Sequence, residues 1–416
     1  MLWKKQKMSE LYKLPAGWEW KKLGEECLFE NGDRGKNYPS KSAFVSKGIP
    51  VVSATNLTGW SIDRSKLNFI TEERYNLIGG GKIKKNDILF CLRGSLGKCA
   101  LVTDIERGVI ASSLVIIRTC ENLSNIFLMY YLNSHLIQDF INKYNNGAAQ
   151  PNLSAKNLSL FNIPLPPLTE QKRIVAKLDS LFEKLDKAIE LHQQNIKNAN
   201  TLMASTLDKT FKKLEGEYSL EKVENIASTI QSGFPVNKKN EEPNGYVHLR
   251  THNISINGEL NFDTVIKVKL SMIKEKFSYI EKGDILFNNT NSTELVGKTA
   301  IVREDYNYAF SNHLTKIKVA DSILPNFFVY AFLNLFNKKL FEKICNKWIG
   351  QSGVNTTMLK NIEIIVPPLP IQQQTVEYLD SIARKVDKIK QLNEQKLENL
   401  KALKASILDK AFRGQL

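Results

Sequence analysis

The segment Val296-Gly297-Lys298-Thr299 resembles the end of a phosphate-binding loop, GxxxxGK[ST]. In that loop backbone amides and the lysine hold nucleotide phosphates, and the hydroxyl group binds magnesium. The motif requires a glycine five residues before Gly297, but Ser292 stands there. The related segment Leu96-Gly97-Lys98-Cys99 lacks the hydroxyl group at its last position. We therefore interpret both segments as glycine turns between strands, each with a lysine beside the turn.

His248 and His252 lie four residues apart, a spacing that can bind zinc when both residues lie on one face of a helix. This segment is strand-like and has no HExxH motif, so we interpret it as a loop that faces solvent or DNA. The sequence also lacks the GxSxG nucleophile motif and the Asn-Pro-Pro or Asp-Pro-Pro core of methyltransferases. These residues indicate recognition rather than catalysis.

Polar loops follow the repeated strand sequence Asp-Ile-Leu-Phe, which occupies 87–90 and 284–287. Arginine can pair with guanine and asparagine with adenine in the major groove, whereas lysines suit phosphates. The alternative for each residue is a solvated loop side chain. The predicted DNA-binding residues are Ser53, Asn56, Arg93, Ser95, Lys98, Gln150, Asn152, Arg250, Thr251, Asn253, Asn288, Asn291, Lys298 and Gln351.

The formal net charge of the 416-residue chain is +15, which favours a polyanionic partner such as nucleic acid or an anionic membrane surface. The most apolar stretch, 324–336, is too short to span a membrane and contains Asn326 and Asn334. The five cysteines are scattered without CxxC spacing, which is typical of reduced thiols in the cytosol. We therefore expect a cytoplasmic protein that does not span a membrane.

The elements that position these loops are repeated along the chain. Residues 166–211 recur as residues 367–412 without a gap, and 21 of the 46 aligned positions are identical. A fixed internal period indicates a duplicated architecture. Weaker matches, such as Asp-Ile-Leu-Phe, extend the repeat into the preceding segments, so each half is predicted to contain the same kinds of element.

Apolar residues in both repeats are spaced by alternating steps of three and four, the pattern of a coiled coil or a long helical hairpin. Prolines occur only at the start of each helix, ending with Pro167 and Pro370, which suits helices of about 45 residues, or roughly 65 Å. Polar residues interrupt both seams, where they can fix register and partner. The residues predicted to form the seam and to dock partners are Leu178, Leu181, Leu185, His192, Leu379, Ile382, Val386 and Asn393.

Between the helices, short apolar runs are broken by Gly, Asn, Asp and Ser, which predicts strands and loops in mixed α+β domains. We predict a first globular domain over 1–165, a central helix over 166–214, a second globular domain over 215–366 and a C-terminal helix over 367–416. Two similar helices can pack antiparallel and relate the two domains by a pseudo-twofold axis, which matches the local symmetry of duplex DNA.

The chain resembles the specificity subunit of type I restriction–modification systems. The motifs that carry the resemblance are the repeated Asp-Ile-Leu-Phe and Gly-Lys loops, Leu14-Pro15-Ala16-Gly17-Trp18-Glu19-Trp20 with Lys22-Leu23-Gly24, Pro164-Leu165-Pro166-Pro167-Leu168-Thr169-Glu170-Gln171 and Pro367-Pro368-Leu369. The two copies differ at two positions of these motifs. Ile371 of the second copy stands where the first copy has Glu170, and Asn86 of the first copy stands where the second copy has the glycine before Asp-Ile-Leu-Phe. The resemblance covers nearly the whole chain.

The resemblance implies two target-recognition domains, each of which reads one half of a split DNA site. The two antiparallel helices act as a ruler for the unread spacer and as a dock for two methylation subunits. S-adenosylmethionine on those subunits, and ATP and magnesium on restriction subunits, supply the chemistry, and this chain binds no cofactor. The alternative from the residues alone is a coiled-coil scaffold with two protein-binding modules. The two hypotheses differ in salt dependence, because phosphate binding weakens steeply as salt rises.

Overall fold

The computed structural model of the chain forms two units. Unit 1 comprises Met1–Leu191 and Gln395–Leu416, and unit 2 comprises His192–Glu394. The structure describes residues 12–33, 35, 38–144, 152–274 and 279–416. Each unit combines mixed sheets with parts of two long helices, so the predicted α+β fold class is confirmed.

The elements of the first half follow one another as β1 (Glu19–Lys22), α1 (Leu23–Glu26), β2 (Cys27–Asn31), β3 (Ile49–Val52), β4 (Leu57–Thr58), β5 (Ser61–Ile62), β6 (Asn68–Ile70), α2 (Glu72–Leu77), β7 (Lys82–Ile83), β8 (Ile88–Cys91), β9 (Cys99–Leu101), β10 (Gly108–Ile110), β11 (Leu114–Thr119), α3 (Asn125–Leu132), α4 (His135–Tyr144), α5 (Ala155–Ser159), β12 (Asn162–Leu165) and α6 (Leu168–Glu215).

Those of the second half are β13 (Leu220–Lys222), α7 (Val223–Ile226), β14 (Ala227–Ser232), β15 (Glu241–Leu249), β16 (Lys267–Val268), β17 (Ile285–Asn288), β18 (Thr290–Asn291), β19 (Thr299–Ile301), β20 (Ala309–Phe310), β21 (Leu314–Val319), α8 (Pro325–Asn337), α9 (Leu340–Ile344), β22 (Asn346–Trp348), β23 (Gln351–Gly353), α10 (Thr356–Lys360), β24 (Glu363–Ile365) and α11 (Leu369–Phe412).

The repeated Asp-Ile-Leu-Phe sequence forms a strand inside an antiparallel sheet of each unit. In unit 1 the strand order is β2-β11-β8-β9, and in unit 2 it is β14-β21-β17-β19. Ile88 and Phe90 enter one hydrophobic core, while Leu89 and Cys91 enter another. Successive side chains of a strand point to opposite faces, so an unbroken apolar run covers both faces of the sheet. Asp87, the first residue of the motif, accepts a 2.8 Å hydrogen bond from the Arg118 Nε atom. This bond joins the start of β8 to the neighbouring strand β11, so the motif has a structural role in the sheet.

A second sheet in each unit contains a parallel pair. Its order is β6-β3-β10-β7 in unit 1, with β3 and β10 parallel, and β16-β15-β20 in unit 2, with β15 and β20 parallel. Unit 2 also contains the sheet β18-β23-β22, in which β22 and β23 form a hairpin. This hairpin carries Gln351, one of the predicted DNA contacts.

Helices α6 and α11 contain 48 and 44 residues, which confirms the long helices predicted from the heptad spacing. They run antiparallel within each unit. In unit 1 the Lys404 Nζ atom lies 2.7 Å from the Asp186 carboxylate, and in unit 2 the His192 Nδ1 atom lies 2.7 Å from the Asn393 Oδ1 atom. His192 and Asn393 therefore face each other, as expected for polar seam positions.

The other seam residues are covered to different degrees. Leu178, Leu379 and Val386 are buried, whereas Leu181, Leu185 and Ile382 are half-buried. The buried residues also contact the globular part of their own unit, since Leu178 shares a core with Phe127 and Leu379 shares a core with Phe327. A helix covered on two sides needs more apolar positions than a strict heptad supplies.

A buried glutamine ties the start of each long helix to its unit. Gln171 accepts a 2.8 Å hydrogen bond from the Ser124 backbone amide and donates to the carbonyl oxygens of Asn122 and Pro166. Gln372 makes the equivalent bonds with Leu324, Ser322 and Pro367. We call these contacts the glutamine clamps. Both side chains are fully buried, and each clamp fixes a helix start against a neighbouring loop.

Candidate nucleic-acid interface

Two of the predicted DNA contacts are buried asparagines that hold loops together. The Asn56 Oδ1 atom accepts bonds from the Ser53 amide and hydroxyl groups, and its Nδ2 atom donates to the Lys66 carbonyl oxygen at 3.2 Å. Asn253 bonds the Arg250 amide group and two carbonyl groups in the same way. Asn56 is 2% exposed and Asn253 is fully buried. The prediction that Asn56 and Asn253 contact bases is therefore corrected, because their side-chain polar atoms already bond to the main chain of their own loops.

The neighbouring residues of these two loops differ in exposure. Ser53 and Thr251 are half-buried, and the Ser53 hydroxyl group also lies 2.8 Å from the Thr55 hydroxyl group. Arg250 is half-buried and its Nη2 atom donates to the Val236 carbonyl oxygen at 3.2 Å. Burial lowers the pKa of the Arg250 guanidinium group. Part of the guanidinium group of Arg250 is therefore already bonded within unit 2 and not available to DNA.

The repeated lysine takes opposite positions in the two units. Lys98 is exposed, whereas Lys298 is 7% exposed and its ammonium group donates to the carbonyl oxygens of Thr251 and Ile254 at 2.9 and 2.5 Å. Burial lowers the pKa of Lys298. The prediction of a phosphate contact is therefore corrected for Lys298, which holds the loop that begins at Thr251. Lys98 keeps the accessible charge that such a contact requires.

Asn288 is also buried, at the end of strand β17 in the core of unit 2. Among the described residues neither of its side-chain polar atoms has a hydrogen-bond partner. A buried amide without partners costs free energy, and an ordered water is the usual compensation. A fully buried side chain cannot reach a base, so the prediction that Asn288 reads a base is corrected.

A cluster of polar residues in unit 1 agrees better with the predicted interface, since Arg93, Ser95 and Lys98 are exposed and Asn152 is half-buried. The Arg93 Nε atom donates to the Asn152 Oδ1 atom at 3.1 Å, and the two backbones form an antiparallel bridge. Ser95 and Lys98 are exposed on the turn that follows Arg93. This arrangement brings together a guanidinium, an amide, a hydroxyl and an ammonium group. Gln150, which was predicted to join them, lies outside the described residues.

In unit 2 the predicted residues Asn291 and Gln351 lie on neighbouring strands of the sheet β18-β23-β22. Asn291 pairs with Ser352, the residue after Gln351, and its Oδ1 atom accepts a 2.8 Å bond from the Ser292 amide. Gln351 is exposed and lies directly across the hairpin from Trp348. Opposite residues of paired strands share a face and successive residues alternate, so Asn291 lies on the face of Ser352 and Gln351 lies on the other face, with Trp348.

The sequence interpretation missed two features of the helices and the hairpin. Trp348 and Ile349 are exposed at the hairpin tip, and a tryptophan next to an Ile-Gly turn was a signal that could have been noted. Exposed leucines also lie along the helices, including Leu191 and Leu403 in unit 1 and Leu202 and Leu392 in unit 2. Large contiguous apolar patches on a protein surface mark interaction sites, whereas single exposed leucines are common. These exposed leucines differ from the residues that the heptad pattern predicted to dock partners.

Two searches of the described residues bear on other functions. None of their helices combines the length and apolar content needed to cross a membrane. In the described ranges no three or more His, Cys, Asp or Glu side chains lie close enough together to hold a metal ion. His248, interpreted above as part of a loop that faces solvent or DNA, is instead buried in strand β15, with its Nε2 atom 3.1 Å from the Phe234 carbonyl oxygen.

Comparisons with known proteins give one consistent result. The family model "Type I restriction modification DNA specificity domain" matches residues 15–200 and again residues 217–399. The Escherichia coli (strain K12) type I restriction enzyme EcoKI specificity subunit is 23% identical over 428 aligned residues, which cover 97% of this chain and 90% of that subunit.

Two solved structures share the fold. A chain from a structure of the type I R-M system has a TM-score of 0.78 and 24% identity, and the match covers 98% of this chain and 100% of that one. The HsdS subunit from Thermoanaerobacter tengcongensis has a TM-score of 0.54 and 24% identity, with coverage of 97% and 99%. The likeness therefore extends over both halves of the molecule.

Proposed function

Because this chain belongs to the family of type I restriction–modification DNA specificity subunits, we propose that it selects the DNA site at which such a complex acts. The observation that carries the proposal is the tandem match of the family model, over residues 15–200 and 217–399. Two copies suit a site of two halves, and each unit reads one of them. The divergence of the units outside the helices lets the two half-sites differ in sequence.

Polar residues that are exposed or half-buried at the surface of each unit support this assignment of the DNA-reading surface. Unit 1 offers Arg93, Asn152 and Lys98, and unit 2 offers Asn291 and Gln351. Arginine and asparagine can form paired hydrogen bonds to guanine and adenine, while lysine positions the phosphate backbone. The net charge of +15 adds a general attraction to DNA.

Helices α6 and α11 set the distance between the half-sites in this proposal. Their 48 and 44 residues correspond to roughly 72 and 66 Å, which exceeds the ~34–36 Å between half-sites one turn apart on B-DNA. Deleting residues 189–195 and 390–396 removes facing heptads around His192 and Asn393. We expect a changed spacer with unchanged half-sites, and an unchanged spacer would contradict the ruler.

The chain supplies the address and its partners supply the chemistry. We propose that the exposed leucines of the helices dock methylation subunits, which bring S-adenosylmethionine for adenine methylation. Restriction subunits bring ATP, magnesium and cleavage to the full complex. The chain itself acts without catalysis or cofactor. Purified chain that methylates or cleaves DNA without partners would contradict this division.

The decisive experiment is to co-express the chain with its neighbouring methylation subunit and to map modified adenines across a genome. We expect a bipartite motif with a fixed spacer. Replacing residues 216–366 by the corresponding domain of another family member should change one half-site only. A scaffold with two protein-binding modules, the alternative from the sequence, predicts no motif and no steep loss of DNA binding as salt rises.

A further inference from the structure

An apolar hairpin tip projects from unit 2 beside the amides assigned to DNA reading. Trp348 is 60% exposed and Ile349 is fully exposed, although both are large apolar residues. They end strand β22 and begin the two-residue turn to β23, in which Gly350 adopts φ of +79°. Exposing these apolar side chains to water at one tip costs free energy, and a bound partner that covers them removes that cost.

The hairpin holds the indole ring of Trp348 in a defined place. A Cβ atom at Gly353 would lie 2.9 Å from the Cζ3 atom of that ring, so the ring packs over the bare backbone of the neighbouring strand. Gly353 in turn is paired with Thr290 of β18. The sheet therefore supports one part of the ring and leaves the remainder facing solvent.

Gln351 lies directly opposite Trp348, and residues opposite each other on paired strands share a face of the sheet. The tip thus combines an aromatic ring, a branched apolar side chain and an amide on a short, supported hairpin. Stacking on an aromatic ring and hydrogen bonding by an amide are two of the means by which proteins contact bases.

The charge around the hairpin favours a nucleic acid rather than a protein as the partner that binds the tip. The segment 338–347, which leads into the tip, contains four lysines and one glutamate. Lys343 and Lys347 are exposed on it. Lysines beside an apolar tip attract the phosphates next to an inserted side chain.

We propose that the tip from Trp348 to Gln351 is an apolar contact element for duplex DNA, in which Trp348 and Ile349 pack against base surfaces and Gln351 reaches a base edge. The inference rests on the proposed function, since it assigns a part of the DNA-reading surface of unit 2. Proteins that insert apolar side chains between bases partly unstack the duplex and bend it.

The test uses the full chain, alone and co-expressed with its methylation subunit, and a fluorescently labelled duplex that carries the mapped site. Anisotropy titrations compare the wild type with Trp348→Ala, Ile349→Ala and the conservative Trp348→Phe. Leu220→Ala is the matched control, because Leu220 is an exposed apolar residue of the same unit on strand β13. Circular dichroism melts check that each variant folds.

We expect Trp348→Ala to weaken binding by about 5- to 100-fold, the loss typical of one aromatic stacking contact, and Ile349→Ala to weaken it by less. Trp348→Phe should keep most of the affinity and should remove the quenching of tryptophan emission that DNA causes in the wild type. The control Leu220→Ala should bind as the wild type does.

Three outcomes would overturn the inference in different ways. Equal DNA affinity of Trp348→Ala and wild type would remove the tip from the interface and leave the proposed function in place. Normal DNA affinity with loss of the methylation subunit on size exclusion would assign the tip to a protein partner. A wild-type chain that binds no duplex at low salt, with or without its partner, would refute the proposed function as well.

Discussion

The Tyr330 hydroxyl group donates a 2.6 Å hydrogen bond to the Asp380 Oδ1 atom and so joins helix α8 to helix α11. Tyr130 and Asp179 make the same contact in unit 1. Burial, and then the bond to the carboxylate, raise the pKa of Tyr330. The two contacts recur at equivalent places because each unit must attach its globular part to a long helix.

We expect Tyr330→Phe to lower the free energy of unfolding by about 1–3 kcal/mol, because the Asp380 carboxylate loses a partner in a partly covered site. Urea denaturation of the full chain measures the change. Tyr378→Phe is the matched control, since Tyr378 is half exposed on α11. Equal stability of the two variants would contradict a structural role for the bond.

The glutamine clamp of unit 2 predicts a sharp contrast between neighbouring glutamines. Gln372→Ala removes a fully buried side chain with three backbone partners, so it should cost about 2–4 kcal/mol of stability. Gln373→Ala, the adjacent exposed position, should change stability by less than about 0.5 kcal/mol. Thermal melts of both variants provide the measurement, and similar losses would count against the clamp.

The two repeated lysines should affect different properties. Lys98→Ala removes an accessible charge, so we expect weaker DNA binding and a decrease of about 1 in the slope of log affinity against log salt. Lys298→Ala removes the donor to the Thr251 and Ile254 carbonyl groups, so we expect about 1–3 kcal/mol lower stability and an unchanged slope. Binding titrations at several salt concentrations distinguish them. A lower slope for Lys298→Ala would show that Lys298 reaches phosphate.

His248 should make the stability of the chain depend on pH. Burial, and then the charge of Arg250, lower the pKa of His248 to about 4, against an ordinary value of about 6.5. Between these values the unfolded chain binds a proton that the folded chain does not, so stability falls as pH decreases. We expect a loss of about 3 kcal/mol from pH 7 to pH 4 that His248→Gln lacks.

Denaturation midpoints of the wild type and His248→Gln across this range test the prediction. The pKa of His313 is also lowered, by burial and then by Arg250, but His313 is present in both proteins and its effect cancels in the comparison. Parallel pH curves for the two proteins would exclude His248 as the source.

The sequence predicted those features that local patterns encode. Heptad spacing predicted the long helices, and the repeated Ile-Leu-Phe run predicted a strand in each half. Burial of single polar residues could not be predicted in the same way. Lys98 and Lys298 each follow the equivalent glycine of their own copy. Only Lys298 is buried, because a loop from Thr251 to Ile254 packs over it. Such coverage depends on contacts between residues far apart in the chain.

The same limit explains Trp348 and the asparagines. A tryptophan near a turn is as compatible with a core as with a surface, and only the pairing of β22 with β23 places its ring at an exposed tip. Asn56 and Asn253 have the residue type of base readers, but the carbonyl groups that they bond come from loops several residues away. Residue type indicates what a side chain can bind, and the fold decides which partner it has.

The glutamine clamps have a consequence for how such chains can evolve. Each clamp bonds only to main-chain amide and carbonyl groups, at Ser124, Asn122 and Pro166 in unit 1 and at Leu324, Ser322 and Pro367 in unit 2. Every amino acid provides the carbonyl group, so a globular part with foreign side chains can be seated on the same helix. Recombination between alleles can therefore exchange one reading domain and preserve its attachment, and new DNA specificities can arise in a single genetic step.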